Sequence, residues 1–101
     1  MNTINISAPH KDFESIKKID EDGIEYWEAR ELMPLLGYLQ WKNFEPVINK
    51  AKISCKNSNQ SVIGHFADIG KMVGLGSVAT RNVKDYKLSR YACYLIAQNG
   101  D

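Results

Sequence analysis

The feature that most constrains the fold stands near the end of the chain, in LSRYACYLIAQNG at positions 88–100. There, seven apolar residues run without interruption from Tyr91 to Ala97. Both ends of the run are punctuated. Ser89 can accept hydrogen bonds from the free amides of a first helical turn, and Gly100 supplies a stop. The stretch therefore predicts a helix over 90–99, and a helix this apolar all round is expected to be buried against more than one layer. Cys93 lies between two tyrosines with no base or second thiol close in sequence to lower its pKa, so it reads as core and not as a nucleophile.

Such a helix needs a domain around it. A chain of 101 residues forms one core, burying roughly two-thirds of the surface that its unfolded form exposes. We expect a flexible lead-in over 1–12 and a single domain over 13–101. Asp22-Gly23 is a hairpin signal, since both central residues of a type I′ turn need positive φ, and Ile16, Ile19, Ile24, Tyr26 and Trp27 suit two flanking strands. Ala29, Leu32, Met33 and Leu36 then follow helical spacing, with Gly37 as the left-handed residue beyond the end. Pro34 removes one amide and predicts a kink or a broken turn.

Phe44, Val47, Ile48, Ala51 and Cys55 mark a second helix, starting either after an Asn43 cap, which places Pro46 in the first turn, or near Gln40 with a kink. Opposite this apolar stripe sit Lys42, Asn49, Lys50 and Lys56, and KNSNQS closes the element as a polar loop. The stretch from His65 to Val73 favours a strand over a helix because Gly64 and Gly70 lower helix propensity. GLGSVAT then reads as a hairpin tip and RNVKDYKL as the returning strand. The fold class expected is α+β, with two antiparallel β-hairpins and three helices.

Composition excludes several classes. Apolar residues at 44% and charged residues at 25% argue against disorder and against a disulfide-dense scaffold. No window reaches the ~18 consecutive apolar residues of a membrane span, and the leading MNTINISAPHK lacks a signal-peptide pattern, so a cytoplasmic protein is expected. Cys55 and Cys93 have no CxxC spacing, which argues against zinc; no metal and no cofactor are expected. His10 and His65 lie far apart and no nucleophile or metalloprotease motif occurs, so no catalytic residues and no enzyme are expected. GLGS at 74–77 is too short to cradle a phosphate.

Net charge is only +1, but its distribution is uneven. Eight acids (Asp12, Glu14, Asp20, Glu21, Asp22, Glu25, Glu28, Glu31) fall in residues 1–31 against four bases; nine bases face four acids in the remainder. A positive field on one side of the molecule would attract a polyanion; charges clustered on a solvated surface are the bland alternative. Lys71, Arg81, Lys84, Lys87 and Arg90 form a basic run on the second hairpin and the mouth of the last helix, with only Asp85 to neutralise it. A basic ribbon can grip phosphates, whereas a lysine-blunted edge strand would merely resist association. The helix, glycine turn and helix at 29–56 have the skeleton of a helix-turn-helix. On it, Trp41, Lys42, Asn43 and Lys50 offer base-edge and phosphate chemistry, although Trp41 could instead pack over the domain and Asn43 could be the cap.

IEYWEARELMPLLGY, WKNFEPVINKAKISC and LSRYACYLIAQNGD together resemble the N-terminal part of the bacterial DNA-damage-inducible protein D family. More distantly, the chain is similar to the Bro-N domain of phage antirepressors and viral Bro proteins. The resemblance implies a Bro-N-like domain of a longer bacterial protein, expected to bind single- or double-stranded DNA in an SOS-type damage response. It marks Arg81, Arg90 and Tyr91 as motif positions and carries no catalytic residues. The alternative is a module that engages recombination or repair proteins without touching DNA, through the acidic hairpin at 20–28 and aromatics such as Tyr38 and Trp41.

Overall fold

The computed structural model describes residues 12–74, 76 and 79–100. The lead-in expected over 1–12 therefore lies, apart from Asp12, outside the described residues, as does part of the GLGSVAT tip. Eight elements follow in order: β1 (Lys18–Ile19), β2 (Glu25–Glu28), α1 (Ala29–Leu35), α2 (Trp41–Asn57), α3 (Val62–His65), β3 (Phe66–Gly74), β4 (Thr80–Leu88) and α4 (Arg90–Asn99). The fold is α+β. Its two hairpins join in one antiparallel sheet of order β1-β2-β4-β3, because Trp27 pairs with Leu88 and Glu28 with Lys87. β4 is thus an interior strand along its inner half, and β1 and β3 are the edges.

Chain entry is fixed by a reciprocal cap. The Asp12 carboxylate accepts the Ser15 N–H at 2.9 Å, and Ser15 Oγ accepts the Asp12 N–H at 2.9 Å. The turn that follows lays Phe13 flat on Trp27, with ring centroids 4.3 Å apart, and Trp27 Nε1–H donates to the Phe13 carbonyl at 2.7 Å. Ile16, expected in a strand, is buried within this turn instead.

The first hairpin is real but its turn is not type I′. Gly23 N–H closes on the Asp20 carbonyl, Asp20 N–H on that of Ile24, and Gly23 at φ 81° has positive φ while Asp22 does not. This is the pattern of a three-residue loop with a bulge. The Asp20 carboxylate stabilises it by accepting the Asp22 and Ile24 N–H groups at 2.9 and 3.0 Å.

The turn between α1 and α2 is set by Gly37 at φ 87°. Its N–H reaches the Pro34 carbonyl and the Tyr38 N–H reaches that of Met33, the paired bonds of a Schellman stop. α2 then begins at Trp41 with Gln40 as N-cap, so Asn43 is a helical residue and not the cap. It ends in a second Schellman stop, with Asn59 at φ 61° in the place glycine usually takes. α3 was not legible as an element. Ser61 Oγ accepts the Gly64 N–H and nucleates a single turn directly after KNSNQS, a stretch that reads in sequence only as a polar loop.

α4 starts and stops where expected, with Ser89 Oγ accepting the Ala92 N–H at 3.0 Å. Gly100 is the C-cap with an extended backbone. A Cβ there would crowd the Tyr38 hydroxyl at 3.0 Å, so close approach, not left-handed φ, suits glycine to this position. Ala92, Cys93, Leu95 and Ile96 are buried, but Tyr94 is 52% exposed. The helix packs chiefly on α2 and is not buried all round. Phe44, Ile48, Trp27, Tyr86 and Leu88 complete the core, each side chain of this size contributing about 1.5–3 kcal/mol through burial.

Candidate functional site

The acid-rich first third and the base-rich remainder interleave in space. Lys71 pairs with Glu28 at 3.0 Å, Lys84 with Glu45 at 3.1 Å and Lys87 with Asp20 at 3.0 Å. Register explains the first of these. Glu28 lies directly across from Lys87 in the β2·β4 pair and shares a face with Lys71, so β2 delivers this carboxylate beside the bases of the second hairpin. Asp20, beyond the end of β1, reaches Lys87 of the ribbon, while Glu25 faces Arg90 of α4.

Arg90 is the most committed cation. Its guanidinium grips Glu25 with two bonds of 2.9 Å and Glu14 with a third of 2.9 Å, and it sits over the Trp27 ring at 5.0 Å and the Phe13 ring at 5.5 Å. The Arg90 hydrogen bond holds both Glu14 and Glu25 below the usual carboxylate range, and the two carboxylates in turn raise the Arg90 pKa. Arg90 thus ties the entering turn, β2 and α4 together.

Asp85, expected to neutralise the basic run, is turned inward and is fully buried. Its Oδ1 accepts the Arg30 N–H at 2.9 Å in the first turn of α1 and the Tyr86 N–H at 2.8 Å, while Oδ2 has no hydrogen-bond partner among the described residues. It supplies from another strand the cap that Glu28 does not give α1. Desolvation raises its pKa.

What remains unpaired is elsewhere. Lys42, Lys50 and Lys56 on α2, and Arg81 towards the outer end of the second hairpin, are exposed and have no carboxylate partner among the described residues. Glu45, the single acid of α2, is drawn sideways to Lys84. Lys52 also points that way, its Nζ donating to the Tyr86 hydroxyl at 3.0 Å and lying over the ring at 4.3 Å. The exposed residues of α2 are Lys42, Asn43, Pro46, Asn49, Lys50, Ile53, Lys56 and Asn57. At ~100° per residue they fall within a single arc of ~140°, opposite the buried Phe44, Ile48, Ala51 and Cys55.

Trp41 packs over the domain. Arg30 sits 4.3 Å from its ring centroid and Tyr86 stacks with it at 6.2 Å. Asn43 stands exposed on α2. The structure thus gathers Lys42, Asn43 and Lys50 on one face, sets Trp41 beside it, and places Lys71, Lys84, Lys87 and Arg90 in ion pairs on the sheet side. Asn49 and Lys56, which the sequence already sets opposite the apolar stripe, and Asn57 were not among the candidates, though their seven-residue spacing from Lys42, Asn49 and Lys50 was visible in sequence. Cys93 is buried, and desolvation pushes its thiol up to about 12, far from a reactive thiolate at neutral pH. No helix among the described residues is long and apolar enough to cross a membrane.

An α+β domain of this kind, a four-stranded sheet with a capped terminal helix, has a family. Residues 15–101 match the BRO family, N-terminal domain, and the chain belongs to that family. Among individual proteins it is 51% identical over 92 residues to DNA damage-inducible protein D of Escherichia coli (strain K12), a match that takes in 91% of this chain and 34% of that protein. The chain thus spans about a third of the length of this curated relative. No solved structure matches it.

Proposed function

We propose that this domain binds DNA as a non-enzymatic part of a bacterial DNA-damage response. The observation that carries the reading is the outer face of α2, whose three lysines have no carboxylate partner among the described residues. In a chain of net charge +1, an uncompensated positive strip is where a polyanion would be attracted. Lys42, Lys50 and Arg81 are the leading phosphate contacts. Lys71, Lys84 and Lys87 can assist, since partly exposed ion pairs hold their partners weakly and a phosphate can compete for the lysine. The kinship with a DNA damage-inducible protein supports the cellular context.

A second reading, docking of a repair or recombination protein, is favoured by an open apolar groove of about 440 Å³ beside α1 and α4, lined by Phe13, Leu32, Leu35, Leu36, Tyr94 and Ala97. Fluorescence anisotropy with labelled single- and double-stranded oligonucleotides at low salt separates the two. Binding that weakens linearly in log affinity against log salt is expected. Absence of binding to either form, at concentrations that saturate non-specific DNA binders, would sink the DNA reading.

A further inference from the structure

Resting on the DNA reading, we infer that the ligand is duplex DNA and that the exposed face of α2 lies in its major groove and reads base edges. Four observations converge on this. The first is chemical content. The arc presents three lysines, three asparagines, one isoleucine and one proline; the one carboxylate of the helix, Glu45, stands beyond its margin and is paired with Lys84. A merely solvated helix usually mixes both signs of charge, whereas asparagine can bond adenine in two places, lysine can donate to guanine, and an alkyl side chain fits the thymine methyl.

The second is order within the arc. At ~100° per residue, Ile53 and Pro46 run along its middle, Lys42 and Asn57 come next, then Asn49 and Lys50, with Lys56 and Asn43 at the margins. Ile53 is 60% exposed there, an apolar side chain in the position that would point deepest into a groove. The third is size. The helix is ~25 Å long and ~10–12 Å across with its side chains, and the major groove is ~12 Å wide. The α1-turn-α2 arrangement also leaves the first turn of α2, with Lys42 and Asn43, solvent-facing, as in helix-turn-helix readers.

The fourth observation separates duplex from single strand. Single strands are held by bases stacking on exposed aromatic rings, and the α2 arc has none. The aromatics beside it are already engaged, with Tyr86 fully buried and Trp41 in contact with Arg30 and Tyr86. Lys84, which meets Glu45 at the margin of α2, would reach a phosphate outside the groove.

The test uses the domain as it stands, with fluorescence anisotropy on a mixed-sequence duplex. One arm fills the major groove by replacing cytosine with glucosylated 5-hydroxymethylcytosine; another blocks the minor groove with netropsin; a third uses the single strand. Filling the major groove is expected to weaken binding about tenfold or more, netropsin to leave it nearly unchanged, and the single strand to bind more weakly than the duplex. Asn49→Ala with Lys50→Ala should weaken the plain duplex and abolish the sensitivity to groove filling; both sites are exposed, and alanine favours the helix. Unimpaired binding to the filled duplex, or equal affinity for the single strand, would overturn the groove assignment while leaving DNA binding in place. Failure to bind any of the DNAs would remove both.

Discussion

Two basic surfaces of this domain look alike in sequence and differ in space. On the sheet side, Lys71, Lys84, Lys87 and Arg90 each face a carboxylate, three of them supplied by the first hairpin or the turn before it. On α2, Lys42, Lys50 and Lys56 face solvent without one among the described residues. Positive charge that the fold consumes differs from positive charge that it leaves free, and only the second is available to a ligand without breaking a contact. The charges of the sheet side should therefore govern stability, and those of α2 affinity.

The sharpest break in that division is predicted at Asp85, the buried acid within the basic run. Asp85→Ala leaves the Arg30 and Tyr86 N–H groups without their acceptor, and two stranded donors should cost about 2–4 kcal/mol of unfolding free energy in a denaturant titration. Asp85→Asn keeps an acceptor in place and should cost much less. Equal losses in the two variants would mean that the negative charge, not the acceptor, matters there.

Arg90→Ala comes next in size. Because Arg90 links Glu14, Glu25, Phe13 and Trp27, thermal unfolding should move to a lower Tm while the salt slope of DNA binding in the folded protein stays as it was. A slope that falls by about one would make Arg90 a phosphate contact and transfer it to the other surface.

Acidification gives the smallest and most gradual effect. Glu14, Asp20 and Glu25 have folded pKa values below their ordinary 4.5, 3.8 and 4.5. Arg90 causes the shift in both glutamates, whereas the Ile24 N–H and then Lys87 cause it in Asp20. Between lowered and ordinary values the unfolded chain binds more protons, so stability should fall as pH drops through that interval. Asp85, raised by burial, works in the opposite sense: the folded state holds its proton more tightly above pH 3.8, which partly offsets the loss. The acid-induced fall in Tm should accordingly be steeper in Asp85→Asn than in the parent.

Much of this architecture was legible in the residues. α4 could be placed from Ser89 and the seven-residue apolar run, α1 from its periodicity and Gly37, and the second hairpin from the turn signals around GLGS. The misses share a cause, which is that local sequence does not report long-range partners. Asp85 looked like a surface counter-charge because its neighbours are basic, and only β4's position beside the start of α1 shows it to be a cap for that helix. Lys71 and Lys87 looked uncompensated because their acids, Glu28 and Asp20, lie more than 40 residues away in chain. Trp41 could be read either as a nucleic-acid contact or as packed over the domain, and nothing nearby in sequence foretells Arg30 and Tyr86 against its ring. The α2 face was visible as Lys42, Asn49, Lys50 and Lys56 opposite the apolar stripe, but its extension to Asn57, and Ile53 and Pro46 along its middle, emerged only when the burial of the other side defined the arc.

The division between the two surfaces comes down to one comparison of salt dependence. Duplex binding would be followed by anisotropy across a range of salt for three proteins: the parent, Lys42→Ala/Lys50→Ala/Lys56→Ala on the helix, and Lys71→Ala/Lys84→Ala/Lys87→Ala on the sheet side. The helix variant is predicted to lose about three units from the slope of log affinity against log salt, with a large loss of affinity, and the sheet variant about one unit or less. The reverse order, a flat slope after the sheet substitutions and an unchanged one after those on α2, would contradict the account.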